Sequence, residues 1–288
     1  MSIVLNQVTH IYMRGTPYER TAIADINLEI KPGECIGIIG HTGSGKSTLL
    51  QHLNGLLSPT SGEVLLEGVN LKGKGPQILQ AKRKIGMVFQ YPEHQLFEET
   101  IFDDIAFGPR NLGLSEAEVE NRVRLAMSFV NVDFNSYAKR SPFQLSGGQM
   151  RRVAIAGVIA MQPSYLILDE PSAGLDPKGR SEIFAHIKQL YRETGLTLIL
   201  VTHHMEEIAE MATRLIVMQK GQVCLDGAPR DIFTKQRQAL VQAGVEVPPI
   251  TALLQSLKKR GLAVEDTVIT VPEGIETIAA ALRRNKPC

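Results

Sequence analysis

The chain has 288 residues, 43% hydrophobic and 21% charged, and its 31 Lys+Arg against 30 Asp+Glu leave a formal net charge of +1. These proportions lie near globular averages and exclude a disordered chain, a collagen-like repeat and a disulfide scaffold. A charge near zero gives no global attraction to nucleic acid or anionic lipid, so any such binding needs a local patch. The length suits one large domain with an appendage. Cys35, Cys224 and Cys288 are odd in number, far apart and without Cys-x-x-Cys spacing, as expected of reduced cytosolic thiols. Residues 1–7 carry no basic leader before an apolar run, so no signal peptide is expected. The longest apolar stretch, residues 153–161, is far short of the roughly 20 residues that span a bilayer. The chain is therefore not expected to cross a membrane by itself.

Over residues 3–30, short apolar and β-branched segments flank a polar stretch with Gly15, Thr16 and Pro17, which predicts edge strands joined by a loop. After the turn Lys31-Pro32-Gly33-Glu34, Cys35-Ile36-Gly37-Ile38-Ile39 is an unbroken apolar run. That is the pattern of a strand buried on both faces of a parallel sheet. It stops at a glycine-rich loop, after which residues 47–57 predict a helix. Helical periodicity resumes over residues 116–130 and, after Ser141-Pro142, over about 147–161, so the middle region reads as mostly α-helical. Apolar runs at 165–168 and 196–201 flank a helical pattern at 178–194, the strand, crossover helix, strand signature of a parallel α/β sheet. Beyond Gly227, residues 231–242, 250–260 and 274–284 read as helices and 267–271 as a strand, with Pro248-Pro249 as an internal break.

Gly40-His41-Thr42-Gly43-Ser44-Gly45-Lys46-Ser47 matches the spacing Gly, four residues, Gly-Lys-Ser/Thr between a buried strand and a helix. Glycines let the backbone wrap so that successive N–H groups point at a β-phosphate, and the helix start adds its positive dipole end. Lys46 would reach the β- and γ-phosphates of ATP and the Ser47 hydroxyl would hold Mg²⁺, with Thr48 beside it in the cradle. His41 occupies a variable position and is expected to lend a backbone donor, its ring solvated. Further on, Tyr165-Leu166-Ile167-Leu168-Asp169-Glu170 places two carboxylates at the carboxyl edge of the sheet, where open α/β folds bind ligands. Asp169 suffices for the metal, directly or through water, which leaves Glu170 to orient or deprotonate an attacking water. A ligand-free turn and a solvated acidic pair are the bland readings of either motif alone; their joint occurrence favours nucleotide binding.

Between these motifs lies Leu145-Ser146-Gly147-Gly148-Gln149, followed by Met150-Arg151-Arg152-Val153, which resembles the signature sequence of ABC ATPases. Gln90, after Gly86-Met87-Val88-Phe89, resembles that family's Q-loop; Ala173-Gly174-Leu175-Asp176 resembles its D-loop; and His203 resembles its switch histidine. Tyr12 sits where the family usually has an aromatic residue stacking on adenine. The resemblance covers residues 1 to about 230 and implies an α/β fold with four parts. These are a P-loop NTPase (RecA-like) core, an antiparallel β subdomain, an α-helical signature subdomain at about 91–160, and a small carboxy-terminal α/β appendage. The cassette would be residues 1–229, and residues 230–288 a dimerisation appendage. Ser146 and the N–H groups of Gly147 and Gly148, beside Gln149, would bind a γ-phosphate at a helix amino terminus. In the family that phosphate belongs to the ATP of the opposite subunit, so a lone chain should hydrolyse slowly. The resemblance also implies that Gln90 joins the metal site to the helical subdomain and that His203 contacts the γ-phosphate and steadies the water near Glu170. Taken singly, His203 or His204 reads as an ordinary histidine, Gln90 as a turn amide and Tyr12 as a packed aromatic. Met205, Met211 and Met218 read as core filler, and Lys72, Lys74, Lys82, Arg83 and Lys84 as a solvated face.

Tyr91-Pro92-Glu93-His94-Gln95-Leu96-Phe97-Glu98-Glu99-Thr100 and Asp104-Ile105-Ala106-Phe107-Gly108-Pro109-Arg110-Asn111 closely resemble the ATPases of energy-coupling factor (ECF) vitamin and metal importers, in their A′ type. The match to Ser172-Ala173-Gly174-Leu175-Asp176, where many ABC proteins lack the glycine, points the same way. The resemblance implies a peripheral protein at the cytoplasmic face of the cell membrane. Its partners would be a second ABC ATPase subunit, a transmembrane coupling protein and a substrate-binding membrane protein, with no nucleic acid. The groove beside the Q-loop would receive coupling helices, and the appendage would help hold the ATPases together. An ATPase of a binding-protein-dependent importer would share every catalytic motif and differ in residues 91–111. A soluble ABC ATPase acting on ribosomes or DNA is disfavoured by the single cassette and the lack of sustained heptads.

Overall fold

The computed structural model describes residues 2–284 and sorts the strand patterns of the sequence into two sheets. β1 (Ile3–Tyr12) and β2 (Arg20–Ile30) form a long antiparallel hairpin. Ile3, Leu5 and Val8 from one strand and Ile23, Ile26, Leu28 and Ile30 from the other are buried, the alternation required of a sheet packed on one face. β3 (Cys35–Ile39) differs in having all five residues buried, and it runs through the glycine loop into α1 (Lys46–Leu53). β4 (Ser61–Leu66) and β5 (Val69–Asn70) complete the antiparallel sheet in the order β2-β1-β4-β5. α2 (Pro76–Arg83) then leads to β6 (Ile85–Val88), again wholly buried.

A helical layer follows, made of α3 (Ile101–Asn111), α4 (Glu116–Phe129), the single turn α5 (Phe134–Tyr137) and α6 (Gly147–Ala160). The sequence writes their starts explicitly. Thr100, Ser115, Asp133 and Ser146 each accept a hydrogen bond from the backbone N–H three residues on, which satisfies a donor the helix cannot. Ser115 with Glu118 and Ser146 with Gln149 close full capping boxes.

β7 (Tyr165–Asp169), α7 (Pro177–Thr194), β8 (Thr197–Val201), α8 (Met205–Met211), β9 (Arg214–Gln219) and β10 (Gln222–Gly227) finish the cassette. The larger sheet has the order β10-β9-β3-β8-β7-β6, with only β10 antiparallel to its neighbour. Its parallel strands bring their carboxyl ends to one edge, where the segments after β3, β6, β7 and β8 open together. Met205, Met211 and Met218 are buried, as expected of core filler.

Several expectations need correction. The helix expected over residues 47–57 ends at Leu53, because Gly55 turns the chain at φ +71°. Lys72 and Lys74 are solvated, but Lys82 donates to the Gly55 carbonyl, Arg83 to the Asn111 carbonyl and Lys84 pairs with Glu67. Part of the basic cluster therefore anchors α2. In the appendage, residues 231–242 form two helices, α9 (Pro229–Lys235) and α10 (Arg237–Gln242), broken at Gln236. They are followed by α11 (Pro249–Lys259) and α12 (Val271–Arg284). Residues 267–271 form no strand, so among the described residues the appendage is helical rather than α/β. Among the described residues no strand pairs with the β-branched residues there; Val268 packs with Ile250, Leu254 and Ala281, and its carbonyl accepts from Thr251 Oγ1 at 2.8 Å. Cys35 is buried, which pushes its thiol up to about 12, and Cys224 is exposed; Cys288 lies outside the described residues.

One buried ion pair ties the helical layer to the sheet edge. Arg151 on α6 donates from Nε and Nη2 to Glu93 at 3.0 and 2.9 Å, and from Nη1 to the Ala173 carbonyl. The two side chains are 3% and 15% exposed. Removing Arg151 leaves the partly buried Glu93 carboxylate and the Ala173 carbonyl without their donor, so Arg151→Ala should lower the unfolding free energy by roughly 1.5–3 kcal/mol in chemical denaturation. Lys235→Ala, at an exposed pair with Asp231, should cost under about 1 kcal/mol. Equal losses for the two would rule out the buried clamp.

Candidate active site

The phosphate loop is shaped by backbone pressing on it from two sides. Gly40 has φ +153°, and a Cβ there would stand 2.3 Å from the Met218 carbonyl oxygen. Gly45 has φ +106°, and its Cβ would meet the Ala22 carbonyl oxygen at 2.8 Å. Only glycine fits either position. Lys46 is 8% exposed, and its Nζ donates to the carbonyls of Gly40 and His41 at 2.7 and 3.1 Å, closing the loop on itself. Burial lowers the lysine's pKa, against the opposing pull of Glu170 and Asp169. Ser44 Oγ is fully buried and has no hydrogen-bond partner among the described residues.

Three successive strand ends supply the polar groups that meet in the site. Gln90 follows β6, Glu170 follows β7 and His203 follows β8. The register pairs Asp169 with Val201, and the Glu170 N–H donates to the Val201 carbonyl at 2.9 Å. Glu170 sits at φ +51°, a left-handed conformation that costs a non-glycine residue energy and is held by its surroundings. Its Oε2 accepts from Gln90 Nε2 at 3.1 Å, and its Oε1 lies 2.7 Å from His203 Nε2. Asp169, 9% exposed, is pushed up to about 6 by burial first and then by the Glu170 charge, while Lys46, Ser47 and His203 pull the other way. Tyr12, at the end of β1, directs its hydroxyl to Thr48 Oγ1 at 3.3 Å and packs edge-on against His10.

Tyr12, Thr42, Gly43, Gly45, Lys46, Ser47, Thr48, Gln90, Asp169, Glu170 and His203 thus line one cleft of about 390 Å³. Gly40, His41 and Ser44 belong to the loop but not to that lining. The His41 ring is half-buried, with Nδ1 2.7 Å from the Thr42 carbonyl and Gly244 of the appendage beside it, rather than solvated. Ser146, Gly148 and Gln149 line a different hollow with Leu175 and Asp176, while Gly147 has open space where its side chain would be. The two hollows share no residue, so the fold does not bring the signature to its own phosphate loop. A further hollow of about 620 Å³ among Leu125, Phe129, Ile159 and Leu190 contains none of the expected site residues.

Sequence reasoning missed Arg20 and Ala22, which also line this cleft from the start of β2, because no motif marks them. It also missed Glu207, buried behind His203, since an acid in a helix's first turn reads as an ordinary dipole partner. The raised carboxyl of Asp169 has a stability consequence with a definite sign. The folded state holds that proton more tightly than the unfolded chain, so stability is full at low pH and falls as pH rises towards about 6. Asp169→Asn, always neutral, should therefore raise the Tm of the nucleotide-free protein above about pH 6, and the gain should vanish below about pH 4. A gain independent of pH in a thermal-melt series would contradict the buried charge as its cause.

The ABC transporter family model matches residues 23–173. The "Energy-coupling factor transporter ATP-binding protein EcfA2" of Clostridium tetani is 53% identical over 273 residues, 95% of this chain and 94% of that protein. The solved structure of cbiO1 from Clostridium perfringens, part of the ABC transporter complex cbiONQ, superposes with a TM-score of 0.72 at 36% identity. The match covers 84% of this chain and 95% of that one. A dimeric ATP-binding cassette in a post-hydrolysis state, bound to ADP and Pi, gives a TM-score of 0.71 at 31% identity over 79% of this chain and 98% of that one. With the phosphate loop, the acidic strand end and the separate signature in place, the chain belongs to the ABC transporter family as an ATPase of the energy-coupling factor branch.

Proposed function

We propose that the chain binds Mg²⁺-ATP between Tyr12 and Glu170. Its hydrolysis, in a pair of cassettes, energises uptake of a vitamin or transition-metal ion through a transmembrane coupling protein. The observation that carries this reading is the meeting of Gln90, Glu170 and His203 opposite Lys46 and Ser47. Tyr12 would stack on adenine, residues 40–48 would cradle the phosphates with backbone N–H groups, and Lys46 would neutralise the β- and γ-phosphates. The Ser47 hydroxyl, the Asp169 carboxylate and the Gln90 amide oxygen form an oxygen-only donor set, the chemistry Mg²⁺ prefers. The ion would supply charge neutralisation across the β- and γ-phosphates. Glu170 would orient the attacking water and take its proton, with His203 steadying the carboxylate and the γ-phosphate.

The separation of the signature from the phosphate loop supports a site completed by a second chain, in which Ser146, Gly147, Gly148 and Gln149 would face the partner's ATP. A heterodimer with a second ABC ATPase fits the energy-coupling factor reading, and the dimeric cassette neighbour is consistent with such pairing. The appendage, residues 230–288, would help hold the pair together; Leu253, Ile275 and Leu282 are exposed on α11 and α12. Tyr91, Phe97 and Phe107 are exposed beside the Q-loop, a groove suited to the coupling protein's helices. No helix among the described residues is long and apolar enough to cross a membrane, which suits a peripheral subunit held at the cytoplasmic face by that coupling protein and a substrate-binding membrane protein.

Glu170→Gln should keep ATP binding but cut hydrolysis by roughly 10²-fold or more, measured as phosphate release from the purified complex. Near-normal turnover would remove Glu170 from the role of base. Tagging the chain in its host and identifying co-purifying membrane proteins tests the wider reading. A second ATPase with a polytopic coupling protein is expected, whereas a permease pair with an external binding protein would overturn the energy-coupling factor assembly.

A further inference from the structure

Glu207 stands in the first turn of α8, 8% exposed, and the reaction described above does not use it. Its Oε2 accepts from Thr202 Oγ1 at 2.5 Å and its Oε1 from Ser172 Oγ at 3.2 Å. Thr202 immediately precedes His203, and its Oγ1 also accepts from the His204 N–H at 3.1 Å. Ser172 follows Glu170 by way of Pro171 alone. One buried carboxylate therefore joins the two segments that carry the 2.7 Å contact between His203 and Glu170.

The His203 side chain is 52% exposed, so few neighbours fix its ring, and Glu170 is held in a left-handed conformation. A buried carboxyl is a costly way to fill space, and here both of its oxygens are satisfied by hydroxyls from the two loops. Arg180 of α7 faces it, and Glu206 adjoins it on its own helix. Burial pushes the Glu207 carboxyl up to about 7, while Thr202, Ser172 and Arg180 hold it down. We propose that Glu207 is a positioning residue for hydrolysis, clamping Thr202 to Ser172 and so setting His203 against Glu170. The inference rests on the reading of Glu170 as base and His203 as its partner.

The test uses the intact transporter complex with Glu207→Leu, Thr202→Val and Thr202→Ser. It reads kcat, affinity for a fluorescent ATP analogue and Tm. Because a displacement of about 1 Å at a catalytic group can cost up to about 10²-fold, Glu207→Leu should lower kcat by about 10-fold or more with affinity changed less than about 2-fold. Thr202→Val should do the same and add less than about 2-fold on the Glu207→Leu background, since both break one network. Thr202→Ser, which keeps the hydroxyl, should restore most of the turnover. Unchanged kcat in folded variants, affinity falling in step with kcat, or losses that simply multiply would each overturn the positioning role. If Glu207→Leu does not fold, Thr202→Val decides from the other side of the same hydrogen bond. Turnover persisting in Glu170→Gln would sink the base assignment, whereas a dead Glu170→Gln beside a fully active Glu207→Leu would sink only the clamp.

Discussion

The pairing of β7 with β8 is the constraint on which the active site depends. Asp169 lies opposite Val201, and the ladder runs one step further through the Glu170 N–H to the Val201 carbonyl. That last bond forces Glu170 off the strand in a left-handed turn and faces it towards the residues just past β8. A one-residue slip would send every strand side chain to the opposite face and exchange Asp169 with Glu170 at the edge.

Burial at that edge creates an electrostatic tension that the fold does not relieve internally. Lys46 and Asp169 are each less than one-tenth exposed, and burial disfavours the charge on both. The lysine amine rests on two loop carbonyls, and the Asp169 carboxyl gains only Ser47 as a hydroxyl donor. Groups held charged in a poorly solvated cleft interact strongly with a ligand of complementary charge, which is the use a phosphate site makes of them.

Much of this was legible in the sequence, for reasons specific to each element. The cores of β3, β7 and β8 are unbroken apolar runs because both faces are covered, and the phosphate loop has a spacing that sterics enforce at Gly40 and Gly45. The capping serines and acids mark helix starts because backbone donors there need a partner. Contacts between distant segments left no such mark. Arg20, the Glu93–Arg151 pair and Glu207 carry ordinary residue types at ordinary positions, and their partners lie tens of residues away. The appendage misled for the opposite reason: Thr267, Val268, Ile269 and Thr270 have strand chemistry, but among the described residues no second strand pairs with them.

The long-range contacts share a design that couples the turn after β6 to the helical layer. Gln90 touches Glu170, and three residues further on Glu93 is gripped by Arg151, which also holds the Ala173 carbonyl in the D-loop segment. Arg151 lies on α6, the helix whose capped amino terminus carries Ser146 and the signature glycines. A guanidinium that makes a two-pronged contact to a carboxylate and a third to a backbone carbonyl fixes all three segments in one geometry. Any rotation of the helical layer would therefore carry the turn after β6 with it or break a buried pair, and the second is expensive. A shift at Gln90 would therefore move with the amino terminus of α6 that carries Ser146, Gly147 and Gly148, without any flexible relay between them.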